Sequence, residues 1–325
     1  MDIYKSRIEE QIKQFSNCAP IHDLPPIFHY WSQKFLMPRM KEVLEAESST
    51  EFYAKAFFDV LVFPDIPRRL ISIGSGDASQ EIDVVKRILD LGGRDFVLEC
   101  FEISPELVKR ADEAVASSGL SNYIKLHICD INEWSIQGGF IGIMAHHSLH
   151  HFVQLERIFD GIKNCLDYRG VFVTNDVIGR NGHMRWPEAL KLIDSIWALL
   201  HIGKKYNHQM GEFHENFMNY DCSSEGFEGI RAQDILPALE KRFYFKKFLA
   251  FGNLTDVFID RGYGPNYSEI DIKDCAFIDF LDLLNNIMID QGILKPTIMF
   301  AELTIQPRST QIYRHWTPQF CIRLP

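Results

Sequence analysis

The spacing of apolar positions divides the chain into two unequal styles. Up to about residue 68 they recur at helical intervals and no convincing strand is visible. Ile3, Ile8, Ile12 and Phe15 mark one helical face, the DLPP run at 23–26 breaks it, and Phe52, Ala56, Phe57 and Leu61 mark another helix before Pro64. From Arg69 onward short β-rich runs alternate with helical patterns. The pattern predicts strands near 69–73, 96–102, 123–128, 140–145 and 170–175, and helices near 79–91, 105–118, 152–166 and 187–200. Such alternation is the mark of parallel βαβ units, and strands this apolar suit a sheet covered on both faces. Right-handed crossovers then give a doubly wound α/β sheet. The alternation stops after Asp176. Strand signals return in RFYFKKFLAF (242–251) and TIMFAELTI (297–305), with a helix at about 274–290 between them, to complete a mostly parallel seven-stranded sheet. The expected organisation is an N-terminal helical lid over 1–68 and a sheet domain over 69–325 with helical cap insertions at about 180–238 and 253–292.

Composition narrows the partners. The 325 residues carry a formal net charge of -10, which disfavours a nucleic-acid substrate, since phosphate backbones select a basic face. The 25 Phe and 5 Trp predict a large core or an apolar pocket. The seven cysteines are scattered with no C-x-x-C pair, so no zinc knuckle or dithiol motif is visible and a reduced, cytoplasmic protein is expected. The opening MDIYKSRIEEQIKQF is a charged amphipathic pattern unlike a signal peptide. No run of about 18 apolar residues predicts a membrane span. Oligomeric state is not indicated.

The candidate chemistry begins at LISIGSGDASQEI, Leu70 to Ile82, an apolar strand followed by a glycine turn. Turns of this kind let backbone and helix N–H groups approach a ligand. A G-x-G-x-x-G fingerprint needs glycine at position 79, which is Ser79, and G-x-G-x-G needs it at position 78, which is Ala78. The turn alone leaves a nicotinamide dinucleotide, another nucleotide-type cofactor and a purely structural bend all open. The next strand ends in FEISPE, putting Glu102 where a carboxylate can accept both ribose hydroxyls or cap the following helix. The third ends in HICDINEW, putting Asp130 where it can accept from an adenine amine, with Ile131 and Trp134 to flank the ring. All three features fall at the carboxyl ends of successive strands, where open α/β sheets bind ligands.

Taken in order, LISIGSGDA, FEISPELVKRA, HICDI, GFIGIMAHHSLHHF and GVFVTNDV resemble the class I S-adenosylmethionine-dependent methyltransferases of small-molecule type over about residues 69–178. The resemblance implies a Rossmann-like methyltransferase fold, S-adenosyl-L-methionine as cofactor and S-adenosyl-L-homocysteine as product. It implies Gly74, Ser75, Gly76 and Ala78 around the methionine part, Glu102 on the ribose, Ile103 on the adenine, and Asp130 at the adenine amine with Ile131 beside the ring. His146 and His147 then face cofactor and substrate. Two positions depart from the family pattern: Ala78 replaces a glycine, and Ser72 stands where an acidic residue is common.

In HHSLHH (146–151) the i,i+4 histidine pairs would share a face on a helix, but the Glu of H-E-x-x-H is missing and no cysteine is near, so no metal is expected. His150 and His151 are read as packing residues, and His146 or His147 as a substrate contact or general base. DVIGRNGHMRWPEAL (176–190) supplies second candidates: Asp176 and His183 for catalysis, and His183, Arg185 and Trp186 for substrate. FHYWSQKFLMPRM (28–40) is read as a lid that brings Tyr30 to the cofactor, and Tyr206 joins the substrate cap. The expected reaction is methyl transfer to an O or N atom of a small molecule or sugar in biosynthesis, with His147, His183 or Asp176 as base. A protein acceptor, a silent binding module and a nicotinamide-dependent oxidoreductase are the alternatives.

Overall fold

Five parallel strands end at one edge of a single sheet, and that edge gathers the candidate residues. The computed structural model describes residues 4, 6–9, 12–13, 24–63 and 68–325. Ile3, Phe15 and Pro64 of the predicted helical pattern lie outside them. The main sheet holds β1 (Arg69–Ile73), β2 (Val97–Glu102), β3 (Ile124–Ile128), β4 (Phe140–His146) and β5 (Leu166–Val177). A small hairpin of β6 (Tyr206–Asn207) and β7 (Glu212–Phe213) stands apart. β8 (Tyr244–Phe251), β9 (Ile298–Thr304) and β10 (Gln311–Ile312) extend the main sheet. Its order is β10-β8-β9-β5-β4-β1-β2-β3.

The sheet therefore has eight strands rather than the seven expected. The extra one, β10, is two residues of the C-terminal segment laid parallel to β8, too short to leave a period-two signal in the sequence. β9 runs antiparallel to both β5 and β8, while β1 to β5 are parallel throughout. From β1 the chain moves outward to β2 and β3, then returns to the other side of β1 to lay down β4 and β5. The gap between β1 and β4 is thus the point where strand order reverses, the place where doubly wound sheets receive ligands.

The helices follow the apolar patterns closely. Ser79–Asp90, Pro105–Ser117, Leu155–Cys165, Pro187–Leu199 and Ile272–Asp290 all form. Ala232–Glu240, which contains Pro237, was not foreseen. Ser49–Leu61 begins at Ser48, whose hydroxyl accepts the Glu51 N–H, and buries Phe52, Tyr53 and Phe57. A Cβ on Gly142 of β4 would stand 2.7 Å from the Phe57 ring, so this N-terminal helix packs directly on the sheet. Within 26–44 one π-helical turn, Ser32–Leu36, adds a residue to the winding. Trp31 Nε1 and Arg39 Nη2 on either side of it both bond Asp282 of the 272–290 helix, at 2.9 and 2.7 Å. Among the described residues no helix is long and apolar enough to cross a membrane.

Candidate functional site

The turn after β1 alternates into left-handed backbone three times, at Gly74 (φ 69°), Gly76 (φ 56°) and Ala78 (φ 59°). Gly74 and Gly76 serve different needs. A Cβ at Gly74 would lie 2.6 Å from the Ser148 Cβ across the β1–β4 gap, whereas one at Gly76 would meet nothing within 4 Å. Gly74 N–H donates to the Phe101 carbonyl at 2.8 Å, which ties the turn to the end of β2. Ala78 occupies the conformation its missing glycine would prefer, at a cost of about 1–2 kcal/mol, and is fully buried at the start of the 79–90 helix.

Ser72, the second departure, is also answered by the structure. Its hydroxyl donates to Glu81 Oε1 at 2.6 Å, so a carboxylate reaches the strand from the following helix. Burial pushes the Glu81 carboxyl up to about 7, and its Oε2 has no hydrogen-bond partner. A carboxyl raised on folding stabilises the protein below its unfolded value and loses that contribution as pH rises through the folded one. Glu81→Gln should therefore gain on the wild type in melting temperature between about pH 4.5 and 8. Parallel thermal melts across that range check this, and a constant difference between the two proteins would refute it.

Glu102 and Asp130 stand at the tips of β2 and β3. Glu102 Oε2 accepts the Gly76 N–H at 3.0 Å and Oε1 accepts the Ser104 N–H at 2.9 Å, so one carboxylate ties the turn to Ser104, the residue that caps the next helix. Burial raises its pKa against the pull of those bonds. Asp130 Oδ1 accepts from Asn132 N at 2.9 Å, and Oδ2 accepts the Tyr4 hydroxyl at 2.7 Å. Ile131 is buried beside it and Ile103 is half-buried. Asn132 Oδ1 in turn receives the Val153 and Gln154 N–H groups, joining this corner to the segment after the histidines.

HHSLHH does not form one helix. His146 ends β4, His147 turns through left-handed backbone (φ 47°), and only Leu149–His151 is a short 3₁₀ turn, so the i,i+4 pairs share no face. His146 Nδ1 lies 3.2 Å from the Tyr53 hydroxyl, and burial lowers its pKa to about 3. His147 N–H donates to the Asn175 carbonyl, while its ring is exposed. Desolvation by the surrounding protein lowers the His147 pKa to about 4.

His150 leads into a buried charge network. Its Nδ1 lies 2.6 Å from Asp176 Oδ1 and its Nε2 3.3 Å from Glu228 Oε1. Burial opposes its charge, but the two carboxylates outweigh that and drive it up to about 10. Burial likewise works against Glu228, yet His150 and His183 hold its carboxyl well below the usual range. His183 Nε2 reaches Glu228 Oε1 at 2.5 Å, and His151 Nε2 lies 3.6 Å from Oε2. Asp176 is fully buried, and its oxygens receive the Ser148, Leu149 and Val177 N–H groups as well as His150. Asp176, expected as a base, is here buried and bonded throughout, and it fixes the histidine segment.

The other expected contacts disperse. Arg185 bonds the Asn253 carbonyl at 2.8 Å and Asn219 through its backbone N–H, knitting loops together. Trp186 is buried, with the guanidinium groups of Arg180 and Arg323 each over its ring. Tyr206 packs on His208 and Phe213 in its hairpin, and Tyr30 bonds Asp279 at 2.9 Å on the 272–290 helix. Among the described residues neither tyrosine bonds a strand-tip residue. Two surface cavities, of about 310 and 360 Å³, are lined by no strand-tip residue either. The sequence reading missed Glu228, Tyr53 and Tyr4. Glu228 lies in EGFEGI, where a carboxylate flanked by glycines was the available signal.

No family model and no curated protein matches the chain. Among solved structures it is similar to geranyl diphosphate C-methyltransferase from Streptomyces coelicolor A3(2) (12% identity, 92% of this chain and 98% of that one, TM-score 0.48). It is also similar to a putative sarcosine dimethylglycine methyltransferase from Galdieria sulphuraria (13%, 82% and 86%, 0.46). A third is an O-methyltransferase of a trans-AT PKS multienzyme from Brevibacillus brevis (10%, 90% and 83%, 0.46). Likenesses this distant do not bear on chemistry, which has to come from the site itself.

Proposed function

We propose that the chain is an S-adenosylmethionine-dependent methyltransferase acting on an O or N atom of a small-molecule acceptor. The observation that carries this reading is the joint placement of the Gly74–Gly76 turn, Glu102 and Asp130 at the tips of three adjacent parallel strands, with Glu102 bonded to the Gly76 N–H. That set matches an adenosine with an amino-acid tail: backbone for the tail, one carboxylate for the ribose, a second for the adenine amine. Asp130 favours this cofactor over a nicotinamide dinucleotide, for which the turn also lacks the glycine at 79.

The cofactor supplies a methyl group on a sulfonium. The residues of this chain hold its two ends and orient the acceptor, and alignment of reacting atoms can remove on the order of 7–11 kcal/mol of barrier. His147 is the base this reading favours, because it lies just beyond the end of β4 with its side chain accessible. Use in a biosynthetic pathway is part of the same proposal.

Calorimetric titration with S-adenosylhomocysteine tests it. One equivalent should bind the wild type, and Glu102→Ala should weaken binding by about 10- to 100-fold, the worth of charge-assisted hydrogen bonds. A wild-type protein that takes up none of the product, with or without candidate acceptors, would sink the reading.

A further inference from the structure

We propose that His150, His183 and Glu228 form a binding site for a first-row divalent transition-metal ion at the carboxyl edge of the sheet. Three ligand atoms, one from each residue, lie within 4.8 Å of one another. Bonds of about 2.0–2.2 Å to one centre require the Glu228 carboxylate to withdraw from His183 and the three side chains to draw in around the ion. Two imidazoles and a carboxylate select zinc, cobalt, iron or manganese over calcium and magnesium, which favour all-oxygen shells.

The surroundings are built as metal sites are built. Asp176 holds His150 Nδ1, and its own carboxylate is fixed by the Ser148 and Leu149 N–H groups, so the Nε2 of a buried imidazole is aimed at Glu228. A carboxylate behind a ligating histidine sets both tautomer and ring orientation. The loops carrying the other two ligands are clasped by the Gly182 N–H to the Gly229 carbonyl at 2.9 Å. Gly182 has no room for a Cβ against Asp221, and His183 itself sits in left-handed backbone (φ 57°). Non-glycine residues persist in that region where their surroundings force a side chain into one direction. The His183 and Glu228 side chains are 27% and 35% exposed while His150 is buried, so the cluster has one open side. Three protein ligands with an open side leave positions for water or a substrate oxygen. Binding of the ion is independent of the methyl-transfer reading; use of its open side by the methyl acceptor rests on that reading.

The competing description is a metal-free network of paired charges, and ion binding separates the two. The full-length protein is dialysed against a chelator, then titrated with Zn2+ by calorimetry and with Co2+ by visible absorption, with no methyl donor present. One equivalent of each ion is expected, with cobalt bands of a nitrogen-containing site. His183→Ala and Glu228→Gln should each lose at least about 100-fold in affinity, since even an outer partner of a ligand is worth 10- to 100-fold. His208→Ala, on the separate hairpin, should bind as the wild type does. Thermal melts establish that the variants are folded, and His183→Gln replaces His183→Ala if the latter melts near the assay temperature. Absence of stoichiometric uptake by the wild type, or unchanged affinity in both ligand variants, overturns the site. A protein that binds metal but not S-adenosylhomocysteine would leave this site standing while removing the proposed function.

Discussion

Asp176→Ala is expected to lower the unfolding free energy by about 3–5 kcal/mol, the cost of removing one partner from a buried ion pair. The side chain is fully buried and its loss strands His150 beside Glu228 alone. It also leaves the Ser148 and Leu149 N–H groups without their acceptor, and each buried orphan of that kind costs about 1–3 kcal/mol. Asp176→Asn keeps an acceptor for those N–H groups but not the charge, so it should fall between the wild type and Asp176→Ala. Urea denaturation of the three proteins measures the series. A loss under about 1 kcal/mol for Asp176→Ala would mean that the histidine segment is held by something other than this carboxylate.

The second large effect is expected from Gly74→Ala. Left-handed backbone costs an alanine about 1–2 kcal/mol. The new methyl also meets Ser148, whose hydroxyl is anchored to the Ile73 carbonyl at 2.8 Å and cannot easily withdraw, and overpacking of this kind adds about 1–3 kcal/mol. Gly76→Ala bears only the backbone cost, because the space around it is open. The difference between the two, read from chemical denaturation, isolates the close approach of β1 and β4. Equal losses would show that Ser148 yields and that the gap is not fixed by the turn.

Much of this edge was legible before the fold was known, for a physical reason. A parallel strand advertises its end, because a long apolar run stops where the chain leaves the core, and the first polar residue beyond it faces the ligand side. Gly74, Glu102 and Asp130 are placed at strand ends in that way, and β1, β2 and β3 do end close to them. The irregular loops obey no such rule. Glu228 reaches His150 and His183 through a clasp between two irregular loops, and nothing periodic marks either loop. Tyr30 and Tyr53 make the same point from opposite sides. Both lie in aromatic helical segments, but the helix bearing Tyr53 packs on the sheet beneath His146, whereas Tyr30 turns toward Asp279. Which helix face meets which layer is decided by tertiary packing, so the segment gave the helices and not their roles. The HHSLHH run misled because it was read at helical spacing, although a strand end and a strained turn separate its two halves.

The antiparallel pairing of β5 with β9 also dictates a timetable. Residues 172–177 of β5 find their partners at 298–303. At about 5–20 residues per second of synthesis, roughly 6–24 seconds pass before those partners are made. Through that interval the growing chain holds the glycine turn after β1 and the Asp176–His150 pair, while residues 172–177 of β5 wait for their backbone partners on that side. Rows of unpaired strand backbone recruit other chains. Residues 178–297 emerge during this wait, and among them β8 is the strand that pairs with the other edge of β9.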